Sequence, residues 1–298
     1  MSQQTYAVIG LGAMGMGLAQ SLLRAGLKTV GCDVNPAALA SFAEAGGQTS
    51  ADPAAAAAMA DVLFLVVVNA AQMEDVLFGH GKATQAMKPG ALVVGCSTVK
   101  PDFARNMEQR LADFGQLYLD APISGGPVKA AAGQMTVMAS GAPKAFAKAE
   151  TALRDAVGTV YRLGDKAGMG SAMKVVNQLL AGVHIAVAAE TMALGLPAED
   201  IYTVITNAAG NSWMFENRMA HVLAGDYTPL SAVNIFVKDL GIVSETTREQ
   251  EMPAPLAAAA LQQFVTARAQ GLGQEDDAAV IKSFPALSCR KNPNVFCA

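Results

Sequence analysis

Three polar residues cluster in a long apolar stretch of the sequence. If residues 168–195 form a helix, Asn177 and Gln178 fall within about 60° of Lys174 on one face, at roughly 100° per residue. The residues that continue this face are apolar: Ala181, Ile185 and Ala188. Because a solvated face would stay polar, the cluster is predicted to lie at the mouth of a site.

Lys174 is the member of this cluster that could do acid/base chemistry. Oxidising an alcohol requires a base that takes the hydroxyl proton while a hydride leaves the carbon. A lysine with its ordinary pKa of about 10.4 is a poor base at neutral pH, but burial and a nearby positive charge would lower that pKa. The residues alone leave open that Lys174 is an exposed residue near the helix start.

A second candidate is the segment DAPISGGP at residues 120–127, which ends a predicted strand and opens a helix. The backbone N–H groups of Ser124, Gly125 and Gly126 can converge on an anion there. With the Ser124 hydroxyl, they would form a clamp for a carboxylate. The alternative is that Ser-Gly-Gly is only a flexible turn.

The motif GLGAMG at residues 10–15 is a candidate cofactor cradle. It follows an apolar strand, opens a helix predicted over 14–25, and precedes Asp33, which lies eighteen residues after Gly15. These three contexts together form a dinucleotide-binding fingerprint. The alternative is an ordinary strand-to-helix turn.

The glycines of the fingerprint have separate expected roles. Gly10 permits the tight turn, Gly12 lets the backbone approach the pyrophosphate, and Gly15 packs the helix against the strand. The helix N-terminus would stabilise the phosphate charge. The residues predicted to contact the cofactor here are Gly10, Leu11, Gly12, Ala13, Met14 and Gly15.

Asp33 is predicted to select NAD over NADP. Its carboxylate can accept hydrogen bonds from the ribose hydroxyls of NAD and would repel the 2′-phosphate of NADP. The next residues, Val34-Asn35-Pro36, supply no Arg or Lys to hold such a phosphate. NAD is therefore the expected cofactor and NADP is disfavoured. The alternative for Asp33 is a plain cap or turn residue.

The elements that must position these residues change character along the chain. Up to about Gly164, short β-rich runs alternate with helical stretches, which predicts a parallel sheet covered by helices on both faces. The runs are 5–9, 29–33, 62–68, 91–96, 117–120, 135–139 and 159–163, and the helices between them include 14–25, 36–45, 53–59 and 101–114.

Beyond residue 168 only helices are predicted, over 168–195, 198–207, 213–223, 230–250, 255–270 and 275–284. The expected fold class is α/β, with a Rossmann-type doubly wound sheet followed by an all-helical C-terminal domain. The expected domains are a cofactor-binding domain (1–164), a long interdomain helix (165–195) and a helical substrate and oligomerisation domain (196–298).

Composition excludes several classes of protein. The 298 residues are 52% hydrophobic with a net charge of −4, which argues against disorder and against a nucleic-acid surface. The most apolar run, 62–68, is too short for a membrane span, and the N-terminus does not resemble a signal peptide. The cysteines (Cys32, Cys96, Cys289 and Cys297) and the three histidines are scattered. A cytoplasmic protein with reduced thiols and without a metal site is expected.

Four blocks of the sequence together resemble the 3-hydroxyisobutyrate, or β-hydroxyacid, dehydrogenase family. They are GLGAMGMGLAQSLLRAG, DAPISGGPVKAAAGQMTVMASG, GMGSAMKVVNQLL and FVKDLGI, in the family's order over roughly residues 5–285. The resemblance implies an NAD(P)-dependent, metal-free dehydrogenase that is dimeric or tetrameric through its helical domain. It also implies that Lys174 is the catalytic acid/base.

The same resemblance implies further site residues. Those for the substrate carboxylate and hydroxyl are Ser124, Gly125, Gly126 and Asn177. Those for the cofactor are Val68, Asn69, Thr98 and Lys238, the last two near the nicotinamide end. The sequence departs from the family at Gly17, where many members have a larger residue, and at Val68-Asn69-Ala70, which replaces a common Leu-Pro turn.

Residues 177–195 and 210–229 resemble most the family members that oxidise the 2-hydroxyl of L-threonate, a four-carbon sugar acid, to a 2-keto acid with NAD. The second block would bring Asn211, Trp213 and Phe215 to the substrate pocket, or place the two aromatic residues in the core. Three alternatives stay open: oxidation of 3-hydroxyisobutyrate, reduction of tartronate semialdehyde, and a non-enzymatic NAD-binding scaffold.

Overall fold

The computed structural model describes residues 4–284, so the predicted loose tail from Leu287, with Cys289 and Cys297, lies outside the described residues. Six parallel strands form one sheet in the order β3-β2-β1-β4-β5-β6, the strand order of a dinucleotide-binding domain. They are β1 (Thr5–Ile9), β2 (Lys28–Cys32), β3 (Gln48–Ser50), β4 (Val62–Leu65), β5 (Leu92–Gly95) and β6 (Leu117–Asp120).

The central strands are apolar throughout because they are buried on both faces. On β1, Tyr6 and Val8 belong to one core cluster, whereas Ala7 and Ile9 belong to the other. The helices that connect the strands are α1 (Ala13–Arg24), α2 (Pro36–Glu44), α3 (Pro53–Met59), α4 (Ala70–Leu77), α5 (Ala83–Ala86) and α6 (Pro101–Asp113). The first two cover one face of the sheet, and α3, α4 and α6 cover the other. The predicted doubly wound sheet is confirmed.

The strand register aligns the carboxyl ends of the sheet. Ile9 pairs with both Cys32 and Leu65, Leu65 pairs with Gly95, and Gly95 pairs with Asp120. The loops that follow these residues therefore emerge at one edge, where ligands bind to open α/β sheets.

A second, smaller sheet contains two of the runs that were predicted as strands. It consists of β7 (Ile123–Ser124), β8 (Met135–Ala139) and β9 (Gly158–Arg162), with β7 antiparallel and β9 parallel to β8. Its helices are α7 (Gly126–Ala131) and α8 (Pro143–Ala152). An antiparallel bridge between Asp120 and Ser140 joins this sheet to the end of β6.

Gly17 is explained by contact between two helices. A Cβ on Gly17 would lie 2.6 Å from the Ala131 nitrogen and 2.8 Å from Ala130 Cβ. The Arg24 guanidinium also donates to the Ala131 carbonyl. Helix α1, which follows the predicted cofactor loop, thus packs on α7, which follows the Ser-Gly-Gly turn, without room for a side chain at residue 17.

Beyond residue 168, the described chain up to residue 284 is helical, as predicted. Its helices are α9 (Met169–Met192), α10 (Ala198–Ile205), α11 (Trp213–Ala224), α12 (Val233–Glu249) and α13 (Pro255–Ala267). The last predicted helix, over 275–284, is instead a 3₁₀ helix over Asp277–Ser283. Two clusters form the cores of these helices, one around Phe236, Leu240 and Phe264 and a smaller one around Phe215.

By length and mean hydropathy, α9 could cross a membrane. Of its most apolar window, 44% is buried inside the protein, and the core helices of globular proteins pass the same test.

The chain divides into two compact units within α9, Met1–Lys174 and Val175–Ala298. The functional division into domains at residues 164 and 195 stays a prediction.

Candidate active site

The glycines of the GLGAMG motif lie where β1 ends and α1 begins. Gly10 has a φ of +94°, and a Cβ there would lie 2.3 Å from the Val66 carbonyl oxygen. A Cβ on Gly15 would lie 1.8 Å from the Gly10 oxygen. Gly12 differs, because apart from its chain neighbours no atom of the described residues would lie within 4 Å of a Cβ placed on it. Two glycines therefore shape the turn, and the third leaves its backbone accessible.

The start of α1 is able to receive an anion. Gly12 is its N-cap, no side chain among the described residues caps it, and its first turn has no acidic residue. Its first N–H groups thus keep their positive potential for an outside acceptor. These features fit the pyrophosphate of a dinucleotide.

The different environments of Gly12 and Gly15 predict different outcomes for the same substitution. Gly15→Ala should lower the free energy of unfolding by about 3 kcal/mol, because its Cβ collides with backbone. Gly12→Ala should leave that free energy within about 0.5 kcal/mol of wild type but weaken NAD binding roughly 10- to 100-fold. Urea unfolding and calorimetric NAD titration measure the two effects. A Gly12→Ala variant with wild-type NAD affinity would contradict the predicted cradle.

Asp33 follows the last residue of β2 and organises the loops at this edge. Its Oδ2 accepts a hydrogen bond from the Leu11 N–H at 2.6 Å, and its Oδ1 accepts one from the Asn35 N–H at 2.8 Å. The Asn35 side chain in turn caps α2, and Val34 is 92% exposed. The carboxylate is thus held beside the glycine loop, in the place expected for a group that binds ribose.

The other predicted cofactor residues of the first unit follow β4 and β5. Asn69 caps α4, since its side chain accepts from the Gln72 N–H, and the Val68 N–H donates to Gln72 Oε1. Thr98 lies three residues beyond Gly95, the end of β5, and is partly buried. Strand register places all of these loops at the same edge as the glycine loop.

The Ser124-Gly125-Gly126 turn connects β7 to α7. Gly125 has a φ of +130° and Gly126 a φ of +74°, so the backbone turns sharply there. The Cβ direction of Gly126 is open to at least 4 Å, and Ser124 is partly buried. The turn thus leaves space beside its backbone, as a carboxylate clamp requires.

Lys174 is buried and directed at this segment. Its side chain is only 6% exposed, and Nζ donates to the Ile123 carbonyl at 2.8 Å. The alternative of an exposed lysine near the helix start is therefore wrong. The carbonyl that the amine contacts belongs to Ile123, the residue directly before Ser124. The candidate acid/base group therefore lies at the segment that carries the predicted clamp.

Asp120, a buried carboxylate for which the sequence analysis predicted no role, lies three residues before Ile123. Asp120 Oδ2 accepts from the N–H groups of Gly168 and Ser171, each at 2.9 Å, and Oδ1 accepts from Ser171 Oγ at 2.7 Å. Burial raises the pKa of Asp120, whereas these hydrogen bonds and one from Ser140 lower it, and the net direction is upward. An aspartate inside the apolar run LYLDAP is the signal that could have revealed such a site.

In the second unit, Asn177 and Lys238 are linked through two buried residues. Asn177 Nδ2 donates to Gln178 Oε1 at 2.8 Å, and Gln178 Nε2 donates to Asp239 Oδ2 at 2.5 Å. Lys238 Nζ lies 2.7 Å from Asp239 Oδ1. Two residues predicted for substrate and cofactor are thus oriented by one network, in which Gln178 and Asp239 had no predicted role.

The three predicted pocket residues near the start of α11 differ in their environments. Asn211 Nδ2 donates to Thr206 O and Glu216 Oε1, but its buried Oδ1 has no hydrogen-bond partner in the described chain. Trp213 is about half exposed. Phe215 is buried in the core. Its pocket role stays a prediction that this placement does not favour.

Residues 4–284 contain no cluster of three His, Cys, Asp or Glu side chains that could hold a metal ion. The two described cysteines are buried and free. Burial raises the pKa of Cys32 to about 11 and that of Cys96 to about 12, so neither is a ready nucleophile.

Comparison with protein families places this chain in a known group. Residues 5–164 match the model of the NAD binding domain of 6-phosphogluconate dehydrogenase. Residues 168–284 match the model described as NAD-binding of NADP-dependent 3-hydroxyisobutyrate dehydrogenase. The two models together span nearly all of the described chain.

Individual relatives are similar over nearly their whole length. The L-threonate dehydrogenase of Cupriavidus necator is 56% identical over 288 residues, which cover 95% of this chain and 97% of that protein. The L-threonate dehydrogenase of Escherichia coli K12 is 52% identical, with 96% and 97% covered. A crystal structure of 3-hydroxyisobutyrate dehydrogenase from Salmonella typhimurium has a TM-score of 0.91 and 50% identity, with 95% of this chain and 100% of that chain covered.

Proposed function

Because the chain belongs to the 3-hydroxyisobutyrate dehydrogenase family of NAD(P)-binding hydroxyacid dehydrogenases, we propose that it oxidises L-threonate at its 2-hydroxyl to 2-dehydro-L-erythronate with NAD. The observation that carries this substrate is the sequence identity of 52–56% to two L-threonate dehydrogenases over nearly the full length. The buried Lys174 beside the Ser-Gly-Gly turn supports the reaction class.

In the proposed mechanism, Lys174 takes the proton of the substrate hydroxyl. A neutral amine can donate one hydrogen to the Ile123 carbonyl, as Nζ does here at 2.8 Å, while its lone pair accepts the hydroxyl proton. Ser124 and the N–H groups of Gly125 and Gly126 hold the substrate carboxylate, and the Asn177 amide orients the hydroxyl. Asn211 offers its buried Oδ1 as an acceptor for a further substrate hydroxyl.

The proposed cofactor site is the edge formed by the loops after β1, β2, β4 and β5. NAD bound at this edge would supply the acceptor for the hydride that leaves the substrate carbon. The N–H groups at the start of α1 hold the pyrophosphate, and Asp33 holds the adenosine ribose. Val68, Asn69, Thr98 and Lys238 complete the site. NAD is the preferred cofactor in this proposal, because the residues that directly follow Asp33, Val34-Asn35-Pro36, include no cation for a 2′-phosphate.

A panel of C3–C6 hydroxyacids tests the substrate. With NAD in excess, kcat/KM should be highest for L-threonate, lower by about 10²-fold for its enantiomer D-threonate, and low for 3-hydroxyisobutyrate. Reduction of tartronate semialdehyde with NADH is the parallel assay. If 3-hydroxyisobutyrate reduces NAD and L-threonate does not, the substrate assignment is wrong, and the Salmonella typhimurium structure then indicates the better function. NAD binding without turnover of any acid would favour the scaffold.

We further propose a homodimer or homotetramer in the cytoplasm. An apolar stripe with alternating spacings of four and three residues runs along α9 and is half exposed at Met169, Met173, Val176, Leu180 and Val187. Such spacing is typical of helices that pack on other helices. Light scattering that gives the monomer mass of 30.6 kDa would refute the assembly.

A further inference from the structure

The first turn of α9 has its acceptors supplied from distant strands. A helix begins with N–H groups that have no partner within it, and Gly168, just before α9, has no side chain that could cap them. Asp120, the last residue of β6, accepts from Gly168 and Ser171, and Ser140, which follows β8, accepts from Gly170 at 2.9 Å. The bridged pair Asp120–Ser140 thus caps the helix in place of a local residue.

The packing beneath this cap leaves little freedom. A Cβ on Gly170 would lie 2.3 Å from the Met138 oxygen and 2.7 Å from the Asp120 oxygen. Asp120, Ser140 and Ser171 are fully buried. The start of α9 therefore packs directly against the backbone of Met138 and Asp120. The hydrogen bonds to Asp120 and Ser140 fix the position of the helix along its own axis.

Lys174 lies one helical turn beyond Ser171, so the cap also determines where its side chain begins. The other end of the side chain is held by Ile123, three residues after Asp120. Residues 120–124 thus hold the helix start, orient the amine and form the clamp. We infer that Asp120 is a positioning residue, which fixes Lys174 relative to the Ser124-Gly125-Gly126 turn for proton transfer. The inference rests on the proposed function.

Asp120→Ala and Asp120→Asn separate this role from a general effect on folding. Alanine removes every side-chain acceptor, so kcat should fall on the order of 10- to 100-fold, as expected for a displaced reacting group. Asparagine can accept from both N–H groups through Oδ1 and donate to Ser171 Oγ through Nδ2. Its kcat should stay within about threefold of wild type, and the NAD dissociation constant should stay within about twofold in both variants.

The decisive readout is the primary isotope effect on kcat with substrate deuterated at the oxidised carbon. A misplaced lysine slows chemistry and should raise the isotope effect in Asp120→Ala, whereas a loss of folded enzyme lowers kcat and leaves the isotope effect unchanged. Ser171→Ala, which removes one hydrogen bond, should lower kcat about three- to tenfold and serves if Asp120→Ala does not fold. Thr84→Val, which removes the buried hydroxyl bonded to the Leu77 carbonyl at 2.8 Å, is the control and should behave as wild type.

The inference is overturned if Asp120→Ala or Ser171→Ala retains wild-type kcat, if kcat falls without a change in the isotope effect, or if Asp120→Asn is impaired as much as Asp120→Ala. These outcomes differ from failure of the proposed function. If wild-type protein prefers another hydroxyacid, the comparison is made with that acid and the inference stands. If Lys174→Ala is inactive and the Asp120 variants are unaffected, only the inference fails.

Discussion

Lys174→Ala should lower kcat for L-threonate oxidation on the order of 10³-fold, within the range usual for loss of a general acid/base, or about 4 kcal/mol in activation free energy. NAD affinity should stay within about threefold, because the glycine loop and Asp33 lie on other elements. The expected fall in kcat follows from the position of the amine, which is buried and bonded to the Ile123 carbonyl beside the predicted clamp. Stopped-flow measurement of NADH formation together with NAD titration separates chemistry from binding.

Two further substitutions at this position show which property of the lysine is used. Lys174→Met keeps an unbranched side chain of similar length without the amine, and Lys174→Arg keeps a charge that does not dissociate. Both should be nearly as inactive as Lys174→Ala, and added methylamine should restore part of the activity of the alanine variant. Lys144→Ala, at an exposed lysine of α8, is the matched control. Turnover within tenfold of wild type in Lys174→Met would remove Lys174 from the mechanism.

The main sheet could be predicted because its signals are local. An apolar run such as Val62–Leu65 ends in a turn, and the next helix starts at a proline or a capping residue. Each element can therefore be recognised from a short stretch of the sequence. The sequence analysis did not predict the short strand β3 (Gln48–Ser50) or the register between the strands. The small sheet could not be predicted in this way, because the two residues of β7 pair with a strand that lies after a helix.

The residues of the candidate site could be singled out from the sequence, but most of their supporting contacts could not. Lys174 and the Ser-Gly-Gly turn were found from composition and spacing, whereas Asp120 bonds to residues 48 and 51 positions later in the chain. Such hydrogen bonds depend on the three-dimensional fold, and the hydrophobic periodicity of the sequence does not predict them. Phe215 illustrates the opposite difficulty, since an aromatic residue at a helix start suits a pocket and a core equally, and the structure buries it.

Asp33→Asn should reduce the preference for NAD over NADP on the order of 10²-fold, measured as the ratio of the two kcat/KM values. Asparagine removes the charge that repels a 2′-phosphate while keeping an acceptor for the Leu11 N–H, which the carboxylate bonds at 2.6 Å. At a separation of about 5 Å and an effective dielectric constant of 20, two unit charges repel by about 3 kcal/mol, which matches a factor of this size. Because the acceptor for the Leu11 N–H is kept, Asp33→Asn should leave the glycine loop intact and the free energy of unfolding nearly unchanged.

Val34 offers the complementary change, because it is 92% exposed and a longer side chain there loses no packing. Asp33→Asn combined with Val34→Arg supplies the cation that NADP-binding sites use for the 2′-phosphate, and this double variant should prefer NADP. Val34→Arg alone is the control and should retain NAD preference, because the Asp33 carboxylate still occupies the ribose position. If wild-type protein used both cofactors equally, or if Asp33→Asn left the ratio unchanged, the hydrogen bonds of Asp33 to Leu11 and Asn35 would be its whole role, and cofactor choice would reside elsewhere.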